Sequence, residues 1–332
     1  MKKTTVYLAS KNGILNAGGL ERVNLYIYTL LSAYYPVEIV RKREKPFKHG
    51  DWLLQSLYIS LKLFFKKNKF VIGTSWHSFL YPCNLTFHHG TTAGILYNKC
   101  EPVNLYKKRI AAMEKISAIL AKKNIAVSEN TKDELIKFYH IPESKITVLN
   151  NFVDDSVFVP KITQNHIPVH VIFAGRLETR KGLDKLIELS KYIESYSGFE
   201  LYIATVTGTN NILFSNNKHT HVYTGIKFGD MPEFYQNGDI LYFPTFYEGF
   251  SMATLEALSC GLPVIGSKYA VMPELQKYDF VQVTDSSDMK QLTENIQTLV
   301  NKNFLRKEEI HKIIKRDFGK EKYKEKLLSL IH

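Results

Sequence analysis

The chain has 332 residues, 44 Lys and Arg against 32 Asp and Glu for a net charge of +12, and 45% apolar residues. That length exceeds the usual size of one hydrophobic core and favours two domains, while no stretch is long and apolar enough to span a bilayer and no tract is repeated or of low complexity. Three cysteines, Cys83, Cys100 and Cys260, lack metal or redox spacing and suit a reducing, cytoplasmic compartment.

The opening MKKTTVYLAS runs straight into a strand-like stretch, Thr4 to Ala9, without the apolar core of a signal peptide. A glycine pair, Gly18-Gly19, and Arg22 follow in the first strand-to-helix turn. Further strand-like runs, Phe70 to Gly73 and Ile125 to Val127, alternate with helical stretches, a pattern that predicts parallel sheets with crossover helices. The charge is lopsided: residues 1–152 carry +13 and residues 153–332 carry −1. The excess concentrates in Arg41 to Lys48, Lys62 to Lys69 and Tyr106 to Lys123. The last two runs adjoin helices with apolar faces, Leu53, Leu57, Leu61 and Phe65 on one and Ile110, Met113, Ile116 and Leu120 on the other. Such faces either cover a sheet or, with their lysines, rest on an anionic membrane, where each cation contributes roughly 1 kcal/mol. Nucleic acid is not an expected partner, because the aromatic residues are scattered and no nucleic-acid-binding motif is present.

A linker is expected near Val153 to Pro160, before a second strand-helix series. There, VHVIFAGRLETRKGLDKLIELS (Val169 to Ser190) reads as a strand, a tight turn flanked by Arg176 and Lys181, and a helix opening after Gly182. A planar guanidinium and a compact ammonium at that spacing can neutralise a diphosphate. In PTFYEGFSMATLEALSCGLPVIGS (Pro244 to Ser267), Glu248 falls in the loop after the strand Ile240 to Pro244, and Glu256 on the following helix, which Cys260-Gly261 stops. Gly249 lets the backbone approach a ligand, and the amides of Phe250, Ser251 and Met252 stand at the helix N-terminus, where an anion is stabilised. A carboxylate can take two hydrogen bonds from a vicinal diol, so the local chemistry is a phosphate cradle with a polyol grip on either side. Ligands in open α/β sheets bind beyond the carboxyl ends of the strands, where both segments place these groups.

These motifs resemble glycosyltransferase family 4, retaining nucleotide-sugar enzymes of the GT-B fold, and the match spans most of the chain. The family's G-R-x(4)-K-G turn falls on Arg176 and Lys181, and its E-x(7)-E motif on Glu248 and Glu256. AGGLERVN around Gly18, Gly19 and Arg22, TFHHG at Thr86 to Gly90, AVSENTKDEL at Ala126 to Leu135 and NNFVD at Asn150 to Asp154 complete the series in order. The resemblance implies an α/β, GT-B architecture of two Rossmann-like, doubly wound parallel-sheet domains facing a cleft. Residues 1–152 would bind the acceptor, residues 153–317 the nucleotide sugar, and a last helix, about 318–332, would return to the first domain.

It further implies that Glu248 meets donor-sugar hydroxyls, Glu256 the ribose, and that Arg176, Lys181 and the amides after Gly249 hold the diphosphate, with Gly18-Gly19 closing from the other domain. A histidine of the first domain belongs beside the reacting sugar, and both His88 and His89 fit. With no D-x-D motif and cations already present, no metal and no cofactor are expected. The implied function is transfer, with retention, of a hexose or N-acetylhexosamine from a UDP-linked donor. The acceptor would be a lipid-linked or membrane-anchored glycan of lipopolysaccharide, capsule or teichoic acid assembly. The enzyme would sit peripherally on the inner face of the cytoplasmic membrane, held by its basic N-terminal domain. A nucleotide-sugar epimerase of the same fold is the alternative, and a non-catalytic sensor a third reading. Three positions depart from the family pattern: Thr205-Val206-Thr207-Gly208 replaces a glycine-rich turn, Ala270-Val271-Met272 a glycine pair, and Asn151 a glycine whose left-handed turn asparagine tolerates.

Overall fold

The computed structural model describes residues 4–10, 19–40, 52–98, 100–161, 166–196, 198–206, 211–285 and 287–331. Gly18, the basic run Arg41 to Lys48 and the Thr207-Gly208 turn lie outside them. The chain divides into two compact units, Met1–Asn151 with Lys324–His332, and Phe152–Tyr323.

The first unit holds six parallel strands, β1 (Thr5–Ala9), β2 (Val37–Val40), β3 (Lys69–Thr74), β4 (Leu85–His88), β5 (Lys123–Ala126) and β6 (Ile146–Val148), in the order β2-β1-β3-β4-β5-β6. Its helices are α1 (Gly19–Ser32), α2 (Trp52–Phe64), α3 (Thr92–Tyr97), α4 (Leu105–Leu120) and α5 (Glu129–Tyr139). Val6, Val71, Leu85 and Ile125 are buried on their strands, as expected where helices cover both faces of a parallel sheet. Ser128 starts α5 by accepting from the Thr131 amide at 3.1 Å, and His140 ends it in the left-handed conformation.

Two basic amphipathic helices behave differently. On α4, Ile110 and Met113 are buried and pack with Trp76 and Phe79, so that part of the stripe covers the unit's own core, while Ile116 and Leu120 stay exposed. On α2 the buried residues are Ser56, Ile59, Ser60 and Leu63, and the leucine face expected to choose between sheet and membrane is outside. Leu53, Leu57 and Leu61 (51% exposed) line it, and Phe65 (85%) follows the last turn beside Lys62 and Lys66.

The second unit repeats the plan with β7 (Val169–Ala174), β8 (Phe199–Thr205), β9 (Thr220–Thr224), β10 (Ile240–Phe243), β11 (Val264–Gly266) and β12 (Val281–Val283), all parallel, in the order β12-β11-β10-β7-β8-β9. Its helices are α6 (Leu183–Glu194), α7 (Met231–Gln236), α8 (Met252–Ser259), α9 (Met289–Asn303) and α10 (Lys307–Phe318). The last helix, α11 (Lys320–Ser329), begins in this unit and from Lys324 belongs to the first.

The expected linker, Val153 to Pro160, is instead packed chain. Val153 and Phe158 are buried, the Val153 amide donates to the Phe318 carbonyl at 2.9 Å, and Val153 bridges Gly319 in parallel. Asp155 accepts from the Lys320 amide at 3.1 Å and pairs with Lys315 at 3.2 Å, while Asp154 pairs with Lys320. Phe158 meets Tyr235 and Phe228 edge-on. The aspartates and aromatics read as a polar connector in sequence, yet they tie the segment to the α10–α11 junction.

Candidate functional site

In the second unit the loops after β7 and β10 are bound to each other. The Arg180 carbonyl accepts from the Phe246 amide at 2.8 Å, and the Arg180 guanidinium donates to the Tyr247 carbonyl at 3.2 Å and to Glu178 at 2.9 Å. Gly182 makes the approach possible: it starts α6 at φ 85°, and a Cβ there would lie 2.3 Å from the Pro244 carbonyl oxygen. In sequence Gly182 reads as a helix start alone; this close contact is signalled there only by a glycine following the lysine.

The cross-bracing brings Lys181 and Glu248 together, half-buried, with Nζ donating to Oε1. The Thr245 hydroxyl is within reach of the Arg180 carbonyl (3.1 Å) and of Glu248 (3.3 Å). The lysine and the glutamate are therefore each other's partner. Arg176 stands exposed just past the end of β7, with no ion pair among the described residues.

Ser251 caps α8, its hydroxyl accepting from the Thr254 amide at 3.2 Å, and Gly249, Phe250 and Ser251 are buried, with Met252 half-buried. Glu256 is on α8, as expected. It is 4% exposed, in a helix whose residues from Thr254 to Ser259 are all buried, and its Oε2 accepts from the Tyr235 hydroxyl at 3.1 Å. Glu256 is thus a buried acceptor on α8.

In the first unit Gly19 opens α1, and Arg22 lies in its first turn. The structure separates the two histidines. His88, the last residue of β4, is fully buried; its Nε2 lies 2.9 Å from Asn124 Oδ1, and Asn124 donates to the Ala118 carbonyl at 3.0 Å. Burial holds its imidazole down at about 4, the Asn124 bond only partly offsetting this. His88 is therefore a buried strut between β4 and β5. His89, one residue past the strand, is half-buried and stacks on Phe87 with centroids 6.3 Å apart. Burial of its ring, with His88 beside it, also takes it to about 4, so it too is neutral at pH 7.

The loop that carries His89 is held by a residue the sequence analysis did not single out. The Glu114 carboxylate is buried and accepts from Ser75 Oγ (2.9 Å), Thr92 Oγ1 (2.9 Å), the Thr92 amide (2.8 Å) and the Tyr139 hydroxyl (2.5 Å). Burial raises its pKa, while the four donors work against that shift. Thr91 adds a bond to Glu134 at 2.7 Å and caps α3 through the Gly94 amide at 2.8 Å. The available signal was a glutamate on the same helix stripe as Ile110, Met113 and Ser117. Among the described residues no group of three or more His, Cys, Asp or Glu could hold a metal ion.

Two parallel six-stranded α/β units, the second with a cross-braced basic and acidic loop pair beyond its strand ends, define the class: a GT-B glycosyltransferase architecture. The family follows from matched models. Residues 18–157 match Glycosyltransferase Family 4 and residues 158–317 match Glycosyl transferases group 1. The chain belongs to glycosyltransferase family 4.

O-antigen chain mannosyltransferase B of Escherichia coli is 26% identical over 212 residues, 57% of this chain and 55% of that protein. The capsular polysaccharide biosynthesis glycosyltransferase CapM of Staphylococcus aureus is 25% identical over 288 residues, 76% of this chain and 73% of that protein. The match spans about half the length of several curated relatives. Among solved structures, sucrose-phosphate synthase from Thermosynechococcus elongatus superposes with a TM-score of 0.78 at 14% identity, covering 99% of this chain and 98% of the other. Anabaena HepE in complex with UDP gives 0.65 at 15% identity, covering 99% of both.

Proposed function

We propose that this protein is a retaining glycosyltransferase that moves a hexose or N-acetylhexosamine from a UDP-sugar to a membrane-associated glycan acceptor. Assembly of lipopolysaccharide, O-antigen or capsule is the setting that its relatives favour. The observation that carries the reading is the Lys181–Glu248 pair with exposed Arg176 beyond the carboxyl ends of β7 and β10. Cleaving a sugar–diphosphate bond builds negative charge on the leaving phosphate. Arg176 faces that charge with an uncommitted guanidinium, and Lys181 shares its ammonium between Glu248 and a phosphate oxygen, which leaves the glutamate's second oxygen for a sugar hydroxyl.

The acceptor oxygen attacks the anomeric carbon on the face from which the phosphate departs. The C–O bond to phosphate breaks, and the departing phosphate oxygen takes the acceptor's proton. His89, neutral and at a strand end, is the histidine assigned to the donor sugar. The cationic side chains supply the neutralisation, so the reaction needs no metal.

The exposed leucine face of α2, flanked by Lys62, Lys66 and Lys67, is the contact to anionic lipid, placing the enzyme on the inner face of the cytoplasmic membrane; no helix among the described residues is long and apolar enough to cross one. The test is transfer from a panel of nucleotide sugars to lipid-linked acceptor, with the product anomer read by NMR. An inverted product, or turnover with GDP-sugars alone, contradicts the mechanism or the donor. Conversion of a UDP-sugar without acceptor favours the epimerase instead. Leu57→Glu with Leu61→Glu should abolish sedimentation with anionic vesicles and leave transfer to a soluble acceptor; vesicle binding equal to wild type removes α2 from the reading.

A further inference from the structure

Away from the strand-end loops, the second unit has a groove of about 470 Å³ between α7 and the β7–β8–β9 face of its sheet. That volume lies within the roughly 300–1,000 Å³ of small-molecule pockets. Flat rings line it. Tyr202 on β8 and Tyr223 on β9 lie nearly parallel, 13° apart with centroids at 6.3 Å, and Phe234 from α7 stands at 68° to Tyr223. At the start of β7, His166 and His170 stack at 3.8 Å and 10°, and His170 meets Tyr202 at 4.5 Å. Burial lowers the His170 pKa, which favours its neutral form.

The polar atoms of this floor are taken up by their neighbours. The Tyr202 hydroxyl donates to Glu200 at 2.6 Å, His170 Nδ1 pairs with the Asn237 carbonyl at 3.0 Å, and His166 with Asp239 at 3.0 Å. Tyr202 is flanked by His170 and, at 4.7 Å, by His221, so the ring surface left to the groove is that of Tyr223, 45% exposed, and Phe234. Two exposed carboxylates, Asp230 and Glu233, also line it and have no ion pair among the described residues.

We infer that the groove is a carbohydrate-binding site that holds a hexose oligosaccharide, separate from the loops that bear Arg176, Lys181 and Glu248; this rests on the reading that the enzyme works on a glycan. The apolar C–H faces of a pyranose stack on flat rings, and its hydroxyls donate to carboxylates that lack other partners. An acidic rim repels phosphate, which excludes a second nucleotide or a phospholipid headgroup. Tyr223 and Phe234, at 68° to each other, make an open corner rather than a cage closing on a point charge, which disfavours an organic cation. A site of this kind keeps a growing chain near the enzyme between transfers, by raising the local concentration of acceptor ends.

The experiment is an array of O-antigen and capsule oligosaccharide fragments, probed with the full-length protein saturated with UDP, with dissociation constants of hits taken by titration. Tyr223→Ala with Phe234→Ala should weaken at least one hit tenfold or more and leave UDP-sugar hydrolysis unchanged. Asp230→Asn with Glu233→Gln, which keeps the shape, should weaken the same hit, so a misfolded aromatic variant does not decide the matter. Hits that both variants retain belong to the acceptor site and overturn the groove. An array without hits, from protein that transfers sugar, overturns it and leaves the transferase reading standing. Retention of choline in place of glycans also overturns it. Groove-dependent hits with no transfer activity keep the groove and remove the transferase reading.

Discussion

The strand-end loops of the two units are built on opposite electrostatic plans. In the second unit, Lys181, Glu248 and Arg176 present charge at or near the surface on loops that brace each other through backbone bonds. In the first unit, the His88-His89 loop holds neutral rings above a buried carboxylate that collects four donors. One loop pair is suited to meeting a ligand's charge, the other to fixing position without adding charge. Surface ions tolerate loss of a partner because water replaces it; a buried acceptor does not.

The sharpest way to break the comparison is at the charged pair. Lys181→Ala and Glu248→Ala should each reduce kcat about 10²–10³-fold, roughly 3–4 kcal/mol of transition-state stabilisation, with the melting temperature little changed. A variant that keeps full turnover would show the charge to be decorative. Glu114→Ala should act the other way round, destabilising the fold by about 3 kcal/mol, because it strands the Thr92 amide and three hydroxyls away from water. Denaturant titration measures it, and a midpoint equal to wild type would mean that the carboxylate holds nothing.

The histidines give a pH test. The folded-state pKa of His88 lies below its unfolded value, so the unfolded chain binds the extra proton, and stability is complete above about pH 6.5 and falls as pH drops toward 4. Between pH 7 and pH 5 the His88 share of the loss should be about 2 kcal/mol, His89 adds a similar share, and His88→Gln should remove about half of the slope. An unaltered slope in the variant would assign it elsewhere. The smallest effect expected is at Gly182: Gly182→Ala should cost about 1–2 kcal/mol through its positive φ and the Pro244 contact, read as a lower melting temperature and weaker UDP-sugar binding.

Much of this was legible in the residues. Strand, turn and helix around Arg176, Lys181 and Glu248 follow from apolar runs punctuated by glycine, and the parallel sheets from the alternation of strand-like and helical stretches. The inward turn of Glu256 was not, because spacing puts a residue on a helix without saying that the helix is buried on every side. The leucine face of α2 illustrates the same limit. The helix has apolar residues on two faces, and Ser56 and Ser60 make the one that packs inward look the less apolar, so periodicity favours the wrong side. Val153 to Pro160 read as a connector since its partners, Phe318 to Lys320, lie more than 150 residues away in sequence, beyond the reach of any local pattern.

The return of the chain to its first unit at Lys324 bears on how the protein is made. Residues 1–151 leave the ribosome long before Lys324–His332, which belong to the same compact unit, and between them comes the whole of the other one. Whatever order the N-terminal sheet reaches during synthesis, the piece from Lys324 is delivered only after the whole of the other unit has been made.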